Sequence, residues 1–278
     1  VVVLNQPINR HALDAVIDAA AVLVCADAGA DRLYRYDHDD GNGDGSEGDS
    51  VADPATDDAA NPKPKQKQKR RRKNGFRRRL PDAIVGDLDS LTSEVEAHYR
   101  ARGVTIVKDP DQYSTDFTKC LKWIRDWAVS GTNQYGSHQH QHNAALDVVV
   151  LGGLGGRVDQ GFSQIHHLFL AENDGGLLQG RIYLLSEQSL SFVLANGHNS
   201  IHIEPGYFEE NVGVIPVLGR ALLTTKGLEW DVEDWPTEFG GQVSTSNHIR
   251  SPKIEIAFEG PRPLFTMELD KRLTAAGE

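Results

Sequence analysis

Cysteine is scarce: the 278 residues hold two, Cys25 and Cys120, with no CxxC pair and no Cys/His spacing that would bind zinc. A disulfide scaffold and a thiolate metal site are excluded, and two reduced, buried thiols are expected. Long apolar runs are missing as well, since nothing approaches the roughly 18–20 residues that a membrane-spanning helix needs. The common nucleotide signatures are absent. There is no GxxxxGK[ST], and in GGLGGRVDQG the glycines Gly153 and Gly155 are followed at the required third position by Val158. A P-loop NTPase and a GxGxxG dinucleotide turn are thereby ruled out. Positive charge is in deficit, the net charge being −11, which argues against a general nucleic-acid binder. The opening VVVLNQPI has neither Met nor a charged leader before a signal-type apolar stretch. It reads as a first strand, so the natural start is expected upstream.

What is present alternates between dilute and dense segments. Hydrophobic content of 39% and mean hydropathy of −0.44 are low for a compact chain of this length, which implies that a polar segment dilutes an ordinary core. That segment runs from about residue 37 to 79, opening acidic (DHDDGNGDGSEGDS) and closing basic (KQKQKRRRKNGFRRR). It has too few apolar residues to offset the entropy of ordering and reads as a disordered insertion. The basic run at 69–79 is first a solvated tether, with nuclear import or polyanion binding as its functional alternative. A second polar insertion, 130–145, carries His138, His140 and His142 and reads as a loop rather than a metal site.

Between the insertions, apolar strand patterns (VVVLN, AVLVCAD, AIVGD, TIVKD, DVVVLGG, RIYLLSE) alternate with helical patterns of ordinary length. That rhythm predicts a doubly wound, mostly parallel, Rossmann-like α/β sheet over residues 1–187. From 188 to 278 the chain becomes short β-rich stretches broken by Gly and Pro, without a convincing helix, and predicts an all-β sandwich domain.

In an open parallel sheet, ligands collect at the carboxyl ends of the strands. Four strand ends here deliver acid: Asp27 after VLVCA, Asp87 and Asp89 after AIVG, Asp116 with Asp111, Gln112, Thr115 and Lys119 after TIVKD, and Asp159 with Arg157 after VVVLGG. In an extended backbone Asp87 and Asp89 would point the same way, and two like charges so placed call for a cation. Mg²⁺ answers that need, because it takes carboxylate and phosphate oxygens. The glycine turn 152–156, with Gly153, Gly155 and Gly156, would let backbone N–H groups approach an anion, and Arg157 would pair with phosphate.

Taken together, LNQPI (4–8), CADAGADRLY (25–34), PDAIVGDLDSL (81–91), DQYSTDFTK (111–119), GGLGGRVDQ (152–160), TTKGLEWDV (224–232) and STSN (244–247) resemble the eukaryotic thiamine pyrophosphokinases, in family order. The resemblance implies transfer of diphosphate from ATP to thiamine with Mg²⁺, and a homodimer with active sites at the subunit interface. It assigns Asp27, Asp87, Asp89 and Asp116 to Mg²⁺ and the triphosphate. It assigns Asn5, Gln6, Gly29, Gln112, Thr115, Lys119, the glycine turn and Asp159 to substrate and nucleotide. Trp230, Ser246 and Asn247 fall to the thiamine end of the site. An indole face suits a pyrimidine and a cationic thiazolium. The chain departs from the family at Ala28 and Asp31, where Gly and Asn are usual. Ala28 would be strained if its φ were positive, and Asp31 would add negative charge near the metal. Arg157 or Lys119 would stabilise charge on the leaving phosphate, and Asp116 is the candidate acceptor of the hydroxyl proton. Two alternatives stay open: diphosphate transfer to another hydroxymethyl heterocycle, and a non-catalytic nucleotide or thiamine-diphosphate sensor. The expected location is cytoplasmic, without membrane contact and without nucleic acid as a partner, with nuclear entry open through the basic run.

Overall fold

The computed structural model describes residues 1–38, 79–130, 146–173 and 180–274. Most of both expected insertions, most of the basic run at 69–79, and His138, His140 and His142 lie outside these residues. Arg79, expected to end a loose tether, is anchored: its guanidinium donates to the carbonyls of Ile17, Ala20 and Ala21 and pairs with Asp82.

The first half alternates as its hydrophobic pattern demands. β1 (Val2–Val3), α1 (Arg10–Ile17), β2 (Val24–Ala26), α2 (Gly29–His38), β3 (Ala83–Gly86), α3 (Ser93–Arg100), β4 (Thr105–Lys108), α4 (Asp116–Ser130), β5 (Val148–Leu151), α5 (Val158–Asn173) and β6 (Ile182–Leu185) follow in order. The strands align as β6-β5-β1-β2-β3-β4, all parallel. Alternate residues serve opposite faces, the two-residue period of a strand. Val2, Val24, Val85 and Val150 meet Phe117, Leu121 and Ile124 of α4 and Leu168 of α5. Val3, Cys25, Ile84 and Leu151 meet Leu13 of α1, Leu33 of α2 and Tyr99 of α3. Helices α1–α3 therefore cover one face and α4–α5 the other. The winding reverses between β1 and β5, and the crevice of such a sheet opens at that reversal.

The second half contains β7 (Ser189–Val193), β8 (His198–His202), β9 (Phe208–Ile215), β10 (Ala221–Lys226), β11 (Trp235–Thr237), β12 (Ser244–His248), β13 (Lys253–Glu259), β14 (Leu264–Leu269) and one helical turn, α6 (Lys271–Thr274). β7 pairs antiparallel with β6, so the parallel sheet continues through β7, β14, β9 and β12 into one sheet of ten strands. A four-stranded antiparallel sheet, β11-β10-β13-β8, packs against that end around Phe192, Val214, Leu223, Ile256 and Phe265. This is the expected sandwich. It shares its larger sheet with the α/β half.

Three local expectations are corrected. Residues 29–38 form α2, which was not legible as a helix and runs two residues into the expected insertion. One helical turn, α6, follows the last strand. β1 is two residues long rather than five, because the chain turns away after Leu4, whose N–H still donates to Leu151 of β5. Cys25 and Cys120 are free and fully buried, and that burial pushes both thiols well above their ordinary pKa.

Candidate active site

Two strand ends and a helix start bring carboxylates together. Asp27 directly follows β2, Asp87 directly follows β3, and Asp116 opens α4. One oxygen from each lies within 4.8 Å of the others. Gly86 permits this convergence: a Cβ there would stand 2.8 Å from the Asp27 Cβ and 3.1 Å from Asp116 Oδ1. Asp27 itself is held at φ 44°, a costly conformation for a non-glycine residue and one that recurs at functional sites.

Asp89 is not part of this convergence. β3 ends at Gly86 and Leu88 turns left-handed at φ 63°, so the extended backbone that would have aligned Asp87 with Asp89 is absent. Asp89 instead accepts from the Ser90 hydroxyl at 2.8 Å, and its N–H donates to Asp87 Oδ1 at 3.3 Å.

The cation already present is Lys119. One turn into α4, its Nζ lies 3.1 Å from Asp116 Oδ1 and 3.7 Å from Asp87 Oδ2, with the side chain 1% exposed. Burial alone would lower its pKa, but the bond to Asp116 and the charges of Asp116 and Asp87 outweigh it and raise its pKa. Asp87 is held below the usual carboxylate range, first by the Asp89 N–H, against the opposing effect of burial, and further by the Asp89 carboxyl and Lys119. Asp27 goes the other way, to about 6: burial raises it, the Ser90 N–H opposes, and the charges of Asp116, Asp87 and Asp89 add to the rise.

Three carboxylates against one ammonium leave a negative surplus, and Asp27 Oδ1 is buried without a hydrogen-bond partner. Oxygens around one Mg²⁺, each about 2.0–2.1 Å from it, stand at most about 4.2 Å apart, so a small contraction of this cluster would accommodate the ion. The residues present fit such a group.

The raised pKa of Asp27 has a consequence for stability. The folded chain holds this proton up to about pH 6, whereas an unperturbed Asp releases it near 3.8. Between those values the folded state binds more protons, so stability from this group is full below the lower value and is lost as pH rises through about 6. Asp27→Asn removes the buried charge, and is expected to raise the thermal midpoint of the metal-free protein at pH 7.5 by about 2–4 °C while eliminating turnover. A midpoint that falls, or one equally shifted at pH 4, would refute the buried-charge account.

Around the cluster the other expected residues take distinct places. The glycine turn after β5 abuts Gln6 across the β1/β5 reversal: a Cβ on Gly156 would stand 2.8 Å from Gln6 Oε1, and one on Gly152 would stand 3.1 Å from Gln6 Cβ. Gly152, Gly155 and Gly156 all have positive φ, which this turn requires. Gly153 faces Leu184. Asn5 accepts from Arg32 Nε at 3.0 Å. Arg157 is exposed and already engaged, donating through two nitrogens to Asp159 at 3.1 and 2.6 Å. Gln112 is exposed, and Thr115 caps α4 by accepting from the Thr118 N–H at 3.2 Å. Asp111 is tied to Ser114 and lies 3.8 Å from Lys122 Nζ.

The departures at Ala28 and Asp31 are absorbed locally. The positive φ falls on Asp27, not on Ala28. Asp31 is buried and accepts from the Thr92 hydroxyl at 2.5 Å and the Thr92 N–H at 3.4 Å, where α3 begins. Gly29 is required by space: a Cβ would come within 2.2 Å of the Val3 carbonyl oxygen.

Trp230, Ser246 and Asn247 form a second cluster. Trp230 is 54% exposed, and its face is tilted against His248 at 4.9 Å between ring centroids. Asn247 does not present its carboxamide to solvent. It is buried, accepts from the Trp230 N–H at 3.2 Å and donates to the Trp230 carbonyl at 3.0 Å. Ser246, at φ 54°, sits in the β12 register break that makes this clamp possible. Six strands lie between β12 and β2 in the large sheet, seven spacings or roughly 34 Å at ~4.8 Å per spacing.

A strand-end rim carrying surplus negative charge and an unpartnered carboxylate oxygen is suited to oxyanions held through a cation. The fold and site thus place the chain in the class of phosphate-handling enzymes. Comparison with known proteins narrows that class. Residues 13–176 match the family described as thiamin pyrophosphokinase, catalytic domain, and residues 198–262 match thiamin pyrophosphokinase, vitamin B1 binding domain. Thiamine pyrophosphokinase 3 of Oryza sativa subsp. japonica is 34% identical over 254 residues, covering 89% of this chain and 78% of that protein. Thiamine pyrophosphokinase of Saccharomyces cerevisiae is 29% identical over 283 residues, with the same two shares. The crystal structure of yeast thiamin pyrophosphokinase is similar at a TM-score of 0.72 and 27% identity, covering 96% of this chain and 85% of that one. Thiamin pyrophosphokinase from Candida albicans, at 0.74 and 23%, covers 97% and 88% and adds likeness of fold. The chain belongs to the thiamine pyrophosphokinase family, transferases that form thiamine diphosphate with ATP. Neither transfer to another heterocycle nor a purely sensory role is favoured by these relatives. Among the described residues no helix is long and apolar enough to cross a membrane.

Sequence reasoning missed Gly86, the buried state of Lys119, the Asn247 clamp, and Thr118 with His167. Only the Asp116/Lys119 pair carried a readable signal, its i, i+3 spacing.

Proposed function

We propose that the thiamine hydroxyl attacks the β-phosphorus of ATP at a rim formed by Asp27, Asp87, Asp116 and Lys119, with AMP as the leaving group. The new oxygen–phosphorus bond forms as the bond to the bridging α,β oxygen breaks, and the hydroxyl proton is lost to a base. The unpartnered Asp27 Oδ1 among the converging carboxylates is the observation that carries this proposal. Asp27, Asp87 and Asp116 would hold Mg²⁺, which when bound offsets negative charge on phosphate oxygens. Asp89, outside the convergence, is left out of that set. Lys119 contributes a fixed positive charge that burial keeps from being diluted by water. Asp116 Oδ1 already accepts from Lys119, which favours a role in charge placement over one as the base. Gln6 and the glycine turn line the crevice at the β1/β5 reversal, the place for the nucleotide.

Thiamine would be held against Trp230, which is clamped to β12, six strands away from β2 and the carboxylates in the large sheet. A homodimer in which one subunit's Trp230 faces its partner's carboxylates supplies the missing reach. Cytoplasmic residence belongs to the same proposal, supported by two unpaired buried thiols.

Incubation with ATP and Mg²⁺ is expected to release AMP only when thiamine is added, in amounts equal to the thiamine diphosphate formed. Chelation with EDTA should stop both, and Mg²⁺ should restore both. AMP without thiamine diphosphate, or turnover indifferent to EDTA, would reject the acceptor or the metal site respectively.

A further inference from the structure

The first turn of α4 presents two pairs of side chains. Asp116 and Lys119 face the carboxylate cluster, whereas Thr115 and Thr118 face α5, where a buried imidazole meets them. His167 is 4% exposed, and its Nδ1 lies 2.6 Å from the Ser163 carbonyl oxygen. A carbonyl only accepts, so Nδ1 carries the proton and Nε2 of the neutral ring is an acceptor. Burial keeps the ring neutral by lowering its pKa, and the neighbouring His166 adds to that. Nε2 lies 2.7 Å from the Thr118 hydroxyl and 3.0 Å from the Thr115 hydroxyl, and the two hydroxyls are 3.0 Å apart. The Phe117 ring packs beside the imidazole at 5.1 Å.

We propose that His167 is a positioning residue for the transfer: its Nε2 lone pair fixes the rotation of the first turn of α4, and with it the aim of Asp116 and Lys119. The inference rests on the proposed phosphate site. α5 follows the glycine turn, and His167 lies in its third turn, so the imidazole ties the first turn of α4 to the body of the helix that leads away from the crevice. A residue that only filled space would not need a fixed tautomer, and an apolar side chain would fill the volume without drawing on two hydroxyls. Rotation of this turn would swing Asp116 away from Asp87 and Asp27, which are held by other elements.

The test compares two amides at one position. Glutamine reaches far enough to place an amide oxygen where Nε2 stands, whereas asparagine reaches only the Nδ1 position. Both lose the ring, and asparagine also leaves more space, so His167→Leu separates packing from positioning. It fills the volume without an acceptor and is expected to lose kcat as His167→Asn does, whereas a packing role predicts that it keeps kcat. His167→Asn is expected to lower kcat by about 10- to 100-fold with the thiamine KM unchanged within about twofold, and His167→Gln to retain kcat within about threefold. Thr118→Val keeps the imidazole and the side-chain volume, and is expected to lose kcat as His167→Asn does. Combined with His167→Asn, it should cost little more, because both remove one interaction. Equal kcat in the two amide variants, or additive losses in the Thr118→Val double variant, overturns the inference. If His167→Asn does not fold, Thr118→Val decides alone: unchanged kcat overturns the inference, and a loss with an unchanged thermal midpoint supports it. Asp116→Asn measured alongside separates the failures. Full activity there removes the site proposal and this inference with it, while an inactive Asp116→Asn beside indifferent His167 and Thr118 variants removes this inference alone.

Discussion

Asp87→Asn and Asp116→Asn are each expected to lower kcat by about 100- to 1,000-fold with the fold intact, while Asp89→Asn stays within about tenfold of the parent. The contrast follows from where the charges point. Asp87 and Asp116 converge with Asp27 and share the buried ammonium of Lys119. Replacing either with its isosteric amide leaves Lys119 one carboxylate partner, so the ammonium is not stranded and folding is preserved. What is lost is one anionic oxygen of the set that would grip a cation. Asp89 helps to raise the pKa of Asp27 and its carboxylate neighbours that of Asp87, but it accepts from Ser90 and supplies no oxygen to the three-carboxylate convergence. Steady-state kinetics and thermal melting of the three variants check the claim. Equal losses at positions 87 and 89 would return Asp89 to the ligand set and show that the loop after β3 rearranges when substrate binds.

The position of Asp89 also shows how far a sequence pattern reaches. Alternation of side chains is a property of extended backbone, and the DLD stretch looks extended until Leu88 turns left-handed. Nothing in the residue type signals that, since leucine seldom adopts positive φ. The strands and the helices α1, α3, α4 and α5 were legible because their apolar positions repeat with clean periods and fill the two faces of the sheet. α2 was not. It buries little more than Ala30 and Leu33 among its hydrophobic residues, and its polar end runs into a charged segment that masks its period. Lys119 illustrates a different limit. Its spacing from Asp116 could be read, but a lysine between carboxylates is usually solvated, and only the packing of α4 against β2 and β3 makes it a buried charge. The bond between His167 and Thr118 spans 49 residues and two helices, and the Asn247–Trp230 clamp spans 17. Contacts of that kind depend on the folded arrangement and leave no local pattern.

Trp230→Ala is expected to raise the thiamine KM by about 10- to 30-fold while kcat at saturation changes by less than about threefold, the size of a lost cation–π and stacking contact of about 1.4–2 kcal/mol. Half its surface is open, and its backbone is held from below by Asn247, so the indole is presented rather than packed. Asn247→Ala should act in the same direction by releasing that clamp, even though its carboxamide is spent on Trp230. Trp230→Ala mixed with Asp116→Asn makes a sharper test. If each site takes its carboxylates from one subunit and its indole from the other, a mixed dimer holds one doubly damaged site and one intact site. Random reassociation of equal amounts makes half of the dimers mixed, so about a quarter of all sites are restored, and activity at low thiamine should rise to about a quarter of the parent value. If each chain carried a complete site, every site in the mixture would bear one substitution, and activity would stay at the mean of the two variants. The six strands between β2 and β12, whose Asn247 clamps the indole, favour the first outcome.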